Sequence, residues 1–151
     1  MPQSLARVLV HIVFSTKNRK PFLKNKAVRE ELHAYLIGVM KNLECPSLEI
    51  NSVEDHIHLL CVLSRKMALM KLVEEIKTST SKWLKSKGMT YRDFYWQSGY
   101  GAFSVSESRC PDVKRYIQRQ DEHHRRLTYQ DEFRQLCAKH RIEIDERYVW
   151  D

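Results

Sequence analysis

An α+β fold follows from the order in which two hydrophobic periods alternate along the chain. Short β-branched, apolar runs read as strands, and longer stripes at three- and four-residue spacing read as helices. Their order is β-α-β-β-α-β with two helices after it. That is the split βαβ, ferredoxin-like order (βαββαβ): an antiparallel sheet with helices on one face, extended by C-terminal helices. The 151 residues include only four Gly and four Pro, which fits one domain, 1–151, with little linker.

Arg7 to Phe14 is apolar, β-branched and short, a buried strand, and the basic loop Lys17-Asn18-Arg19-Lys20-Pro21 breaks it. Val28, Leu32, Tyr35, Leu36, Val39, Met40 and Leu43 recur at helical spacing, which predicts a helix over 25–43 with Pro46 beyond its end. Two strands follow, Ser47 to Val53 and Ile57 to Leu63. Glu54 and Asp55 form the turn of a hairpin between them. In this topology the third strand is central.

Leu69, Leu72, Val73, Ile76, Trp83 and Leu84 mark a second helix over 67–86, with Gly88 placed to cap it. The aromatic stretch from Phe94 leads into a fourth strand over 100–106. A third helix is predicted over 110–126, with Pro111 in its first turn. Thr128, with Asp131 three residues on, N-caps a fourth helix whose inner stripe is Phe133, Leu136, Cys137 and His140.

The formal net charge is +7, an excess that suits a polyanionic partner and equally suits solubility alone. Cys45, Cys61, Cys110 and Cys137 form no CxxC pair, and neither a secretory signal nor a membrane-length apolar run is present. The expectation is a cytoplasmic protein with reduced thiols and no membrane contact.

Candidate chemistry begins at His56-Ile57-His58. Residues two apart on a strand point to the same face, so both imidazoles converge while Ile57 faces away. Two ordinary histidines fit the same pattern. On the third helix, Val113, Tyr116, Ile117, Gln120, His124 and Leu127 fall on one stripe, and Tyr116 and Gln120 are four apart. An inward Gln amide needs a partner, which a metal, a nucleic acid or the backbone would supply.

His56-Ile57-His58 resembles the HUH motif, in which U is hydrophobic. Tyr116 with Gln120 resembles the nucleophilic tyrosine and downstream glutamine of the IS200/IS605-type (Y1) transposases. The likeness spans nearly the whole chain. It takes in Val10-His11-Ile12-Val13-Phe14, Asp55-His56-Ile57-His58-Leu59-Leu60, Trp96-Gln97-Ser98-Gly99-Tyr100 and Tyr116-Ile117-Gln118-Arg119-Gln120. The closing Asp145-Glu146-Arg147-Tyr148-Val149-Trp150 is similar to one subgroup of these proteins.

The resemblance implies metal-dependent cleavage and rejoining of single-stranded DNA, with hairpin ends, through a 5′-phosphotyrosine. It assigns Tyr116 as nucleophile and His56, His58 and Gln120 as metal ligands, with His123 and His124 as competitors ranked below Gln120. A mixed nitrogen and oxygen donor set suits Mn²⁺ or Mg²⁺, whereas the lack of a Cys or carboxylate ligand speaks against zinc. The resemblance further implies a homodimer in which the tyrosine helix of one subunit completes the metal site of the other.

Lys17, Arg19, Lys20, Lys77, Lys82, Arg115 and Arg119 are candidate DNA contacts, and Tyr95, Trp96 and Tyr100 are candidates for stacking on unpaired bases. Three alternatives stay open. One is a domesticated relative acting on repetitive hairpin elements. Another is a metal-dependent nuclease in which water attacks without a covalent adduct. The last is a non-catalytic nucleic-acid-binding module.

Overall fold

A computed structural model of the protein describes residues 2–151. Its strands are β1 (Val8–Ser15), β2 (Ser47–Ser52), β3 (His56–Leu63) and β4 (Gly101–Val105). Its helices are α1 (Lys26–Asn42), α2 (Leu69–Lys85), α3 (Cys110–Gln118), α4 (Gln120–His123) and α5 (Tyr129–Lys139). The strands form one antiparallel sheet in the order β2-β3-β1-β4, so the α+β, ferredoxin-like expectation is met and β3 is central.

Alternation of side chains across the pleat divides the core in two. Val10, Ile12 and Phe14 of β1 and Ile57, Leu59 and Cys61 of β3 face one way, where α1 (Leu32, Leu36, Met40) and α2 (Leu72, Ile76, Leu84) cover them. The opposite face carries Val13 and Phe103 under Tyr129, Phe133 and Cys137 of α5, and Leu9 and Leu60 under Cys110 and Ile117 of α3. The C-terminal helices thus cover the second face, which is why β1 and β3 are buried on both sides.

The third predicted helix is corrected. It stops at Gln118, Arg119 leaves helical geometry (φ −96°, ψ 23°), and a single turn, α4, follows. The cause is a partner for the terminal carbonyls. Asn51 of β2 donates its side-chain amide to Ile117 O (2.8 Å) and Gln118 O (3.3 Å), satisfying acceptors a continuous helix would have used.

Two glycines are structural requirements. Gly88, just past α2, adopts φ 138°, which L side chains rarely adopt. At Gly101 a Cβ would lie 2.6 Å from Phe133 Cε2, so the bare backbone lets α5 settle on the sheet. The C-terminal segment is tied down by Gly99 N, which donates to Asp151 O (3.0 Å), and by Trp150 against Phe133 (5.9 Å between ring centroids). The four cysteines are buried and unpaired, and no helix among the described residues is long and apolar enough to cross a membrane.

Candidate active site

The site lies on the second face of the sheet. His56 and His58 point there from β3, both fully buried, while Ile57 enters the opposite core. Thr128 caps α5 by accepting from Asp131 N (3.1 Å), and the register this sets turns Tyr129, Glu132 and Phe133 inward together.

Glu132 is the residue that sequence reasoning missed. One of its carboxylate oxygens, Oε1, faces three imidazole nitrogens: His58 Nε2 at 3.0 Å, His124 Nε2 at 3.0 Å and His56 Nε2 at 3.3 Å. Its other oxygen, Oε2, accepts hydrogen bonds from the Tyr116 hydroxyl and from Gln120 Nε2 (3.2 Å). The available signal was an acidic residue one place before Phe133 on an otherwise apolar stripe.

The break after α3 matters here. It carries Gln120 to full burial, with Oε1 3.0 Å from His124 Nε2 and 3.3 Å from His56 Nε2. The structure therefore brings together all four principal candidates, Tyr116, His56, His58 and Gln120, and adds His124 and Glu132. His123 stays outside the cluster and packs its ring on Tyr116, with 4.7 Å between centroids. Tyr116, Gln120, His124 and Glu132 thus meet His56 and His58 within a single chain.

Each strand histidine is oriented from behind. His56 Nδ1–H donates to Asp55 Oδ1 (2.7 Å), leaving Nε2 aimed at the cluster. His58 Nδ1 lies 2.8 Å from Nε2 of His11, a buried residue of β1. If His58 Nε2 offers its lone pair, Nδ1 carries the proton and His11 Nε2 must accept it. Register explains the encounter, since β1 and β3 are neighbours and His11 and His58 share a face.

Electrostatics favour charge separation in the cluster. Burial raises the Glu132 carboxyl, but the His58 charge and hydrogen bonds from His124, His56 and His58 outweigh it and hold the group far below the carboxylate range. Burial likewise opposes a charged His56, yet the bonds to Asp55 and Glu132 raise it to about 9. Burial and then the Glu132 charge push the Tyr116 phenol above its ordinary value, so Tyr116 is protonated at rest.

The donor set fits a divalent cation. Ligand atoms of His56, His58, His124 and Glu132 all lie within 4.8 Å of one another, and a carboxylate facing three imidazoles has the charge and geometry for it. The expectation that no carboxylate would be available is corrected by Glu132.

The candidate DNA contacts divide. Lys17, Lys20, Lys82 and Arg119 are exposed. Arg115 is paired with Asp112, and Arg19 reaches Trp150 O at 3.3 Å. Lys77 is a correction. Its Nζ donates to Gln97 O (2.7 Å), Ser98 O (3.2 Å) and Gly99 O (2.7 Å), and burial lowers its pKa to about 8. It therefore staples a loop. Trp96 is also structural: it is buried and donates to Thr80 Oγ1 (2.8 Å). Tyr95 is exposed and lies under Lys85 Nζ, 4.1 Å from the ring centroid.

A basic fold with a histidine pair on its central strand and a tyrosine on a following helix defines a class of DNA-processing proteins. Residues 4–120 match the family model described as "Transposase IS200 like", and the chain belongs to that family. The match ends at Gln120, so His124 and Glu132 lie beyond it.

Several solved structures share the fold, and two of them are described as transposases. One is a protein of Deinococcus radiodurans R1 described as a transposase (TM-score 0.62, 19% identity, 80% of this chain and 95% of that chain covered). The other is a REP-associated tyrosine transposase bound to a REP hairpin (TM-score 0.60, 13% identity, 82% and 73% covered). No curated protein matches the chain.

Proposed function

We propose that this transposase cuts and rejoins single-stranded DNA with Tyr116 as nucleophile, and that residues 1–151 act as one nuclease domain. His56, His58 and Gln120 hold a divalent cation, with His124 and Glu132 as further donors. The observation that carries the reading is the Glu132 carboxylate, hydrogen-bonded to the Tyr116 hydroxyl on one oxygen and facing three imidazoles with the other.

The cation, when bound, offsets the negative charge of the scissile phosphate and polarises it. Tyr116 is a poor nucleophile at its ordinary pKa of about 10 and needs a proton acceptor. Glu132 Oε2, which already accepts the hydroxyl's hydrogen bond, is that acceptor in the transition state, where the forming oxygen–phosphorus bond makes the phenolic proton acidic enough to offset the low basicity that the imidazoles impose on the carboxylate. As the tyrosine oxygen bonds to phosphorus, the bond to the 3′ oxygen breaks, the phenolic proton passes to Glu132, and the departing oxygen takes a proton from water. The polarity, a 5′-phosphotyrosine with a released 3′-OH, is the one the family resemblance implies. The phosphotyrosine retains the bond energy, so a 3′-OH can attack it, reseal the strand and return the phenol.

Mg²⁺ or Mn²⁺ is the primary reading of the cation. Zn²⁺ is the second, favoured by a carboxylate beside three imidazoles. The DNA partner carries hairpin ends, a reading supported by the hairpin bound to the REP-associated neighbour. The same likeness favours, as a second reading, a domesticated relative that processes repetitive hairpin elements with this chemistry. Tyr116 acts in cis, within the chain that supplies the histidines, and a homodimer completed in trans is the contrary outcome.

The test is an SDS-resistant adduct on single-stranded DNA from the flanks of the protein's own gene, with Mn²⁺ or Mg²⁺. The adduct is expected to vanish with Tyr116→Phe and with EDTA. Cleavage without an adduct points instead to water as the nucleophile.

A further inference from the structure

A cleft of about 550 Å³ lies between β4, α3 and α5, with Tyr116 and His11 among its lining residues. The volume falls in the range of about 300–1,000 Å³ that small-molecule sites occupy. Neither the metal cluster nor the fold accounts for it.

The cleft has two chemical zones. Its inner wall is aromatic and apolar: Phe103 and His140 lie 4.7 Å apart between ring centroids, and Val113 and Leu136 line it with them. Lys139 is exposed on its lining and has no carboxylate partner among the described residues. Asp112, the one acid there, is already paired with Arg109 (3.1 Å) and with Arg115. An aromatic interior beside a cation suits a stacked base followed by a phosphate.

We propose that this cleft binds the nucleobase of the nucleotide that stays joined to Tyr116 after cleavage. The inference rests on Tyr116 being the nucleophile. A base and its own 5′-phosphate hang from one sugar, and Tyr116 both lines the cleft and receives that phosphate. The base stacks on the half-buried imidazole of His140, which the buried Phe103 ring backs, and the next phosphate along the strand meets Lys139. His11 also lines the cleft and bonds His58, so the seated base lies one residue from a proposed metal ligand.

Two readouts test this. In the first, dAMP, dGMP, dCMP and dTMP are titrated into the protein and followed through the amide resonances of residues 103–106 and 136–140. At least one nucleotide is expected to shift both segments, with affinity roughly fivefold or more weaker in His140→Ala and in the cleft-filling Leu136→Trp. In the second, a randomised single-stranded DNA pool is incubated with the protein and Mn²⁺, and captured strands are sequenced from the nucleotide attached to the protein. A base bias at that first position should weaken in His140→Ala while biases further along persist. Absence of shifts in both segments with all four nucleotides, or identical first-position biases in wild type and variants, would overturn the proposal. Nucleotide binding in the cleft without any captured strand would sink the strand-transfer reading and, with it, the assignment of the bound base to a Tyr116-linked nucleotide.

Discussion

The hydroxyl of Tyr116 donates its hydrogen bond to Glu132 of the same chain, sixteen residues further along, across the gap between α3 and α5. The same carboxylate meets the cluster of three imidazoles, so the proposed nucleophile and the proposed metal site share one residue.

Glu132→Gln should keep the shape and lose the base. General-base catalysis contributes about 10²- to 10⁴-fold, and adduct formation is expected to fall within that range. Near-normal rates in a folded Glu132→Gln protein, checked by quenched-flow adduct assays, would remove Glu132 from proton transfer.

His11 acts through His58. Partners behind a metal-ligating histidine are worth about 10- to 100-fold in metal affinity. His11→Leu should lose that much affinity for Mn²⁺ by calorimetry. His11→Gln, whose amide oxygen still accepts from His58 Nδ1–H, should recover most of it. Equal affinities for Leu and Gln at this position would reduce His11 to packing.

The His56 imidazole predicts a pH dependence of stability. Its pKa in the fold is about 9, raised from 6.5 because hydrogen bonds to Asp55 and Glu132 outweigh burial. A raised pKa contributes stability that is fully present below the unfolded value and lost as pH climbs through the folded one. The metal-free protein should therefore lose urea resistance between about pH 6.5 and 9. His56→Gln should flatten that slope, and a bound cation, which takes the place of the imidazole proton, should also blunt it. A metal-free curve that rises across this window would contradict the assigned proton.

Gly101 controls how closely α5 approaches. A methyl group there would sit 2.6 Å from Phe133 Cε2 and 2.9 Å from Cζ. Gly101→Ala should cost about 1–3 kcal/mol in chemical denaturation, the usual range for overpacking. It should also lower adduct yield, because Glu132 precedes Phe133. Unchanged stability would mean that α5 shifts freely on the sheet.

Much of this was legible in the sequence, for reasons that differ by element. The strands and first two helices carried their own periodicity, and His56 with His58 followed from the two-residue repeat of a strand. Tyr116 and Gln120 were visible as a stripe, but the break at Arg119 was not, because Asn51 is remote in sequence and met α3 only in the folded chain. Glu132 was hidden for the same reason. A single acid on the apolar stripe of a capped, amphipathic helix is only a faint local signal, and its meaning comes from three histidines on other elements. Lys77 misled because a lysine on the outer face of a helix looks solvated until three carbonyls are found around it.

Cis assembly has its own test. Tyr116→Phe and a His56→Ala/His58→Ala double variant, each inactive alone, should stay inactive when mixed, because each lacks a group that its own chain must supply. Recovery of adduct in the mixture would show exchange between subunits.

The most direct measurement is the site of covalent attachment. Single-stranded DNA that has reacted with the wild-type protein and metal is digested, the protein is cleaved, and the nucleotide-bearing peptide is sequenced by tandem mass spectrometry. The account predicts one modified residue, Tyr116, carrying the nucleotide through its 5′-phosphate. A nucleotide on any other residue, or cleaved DNA with no modified peptide, would contradict it.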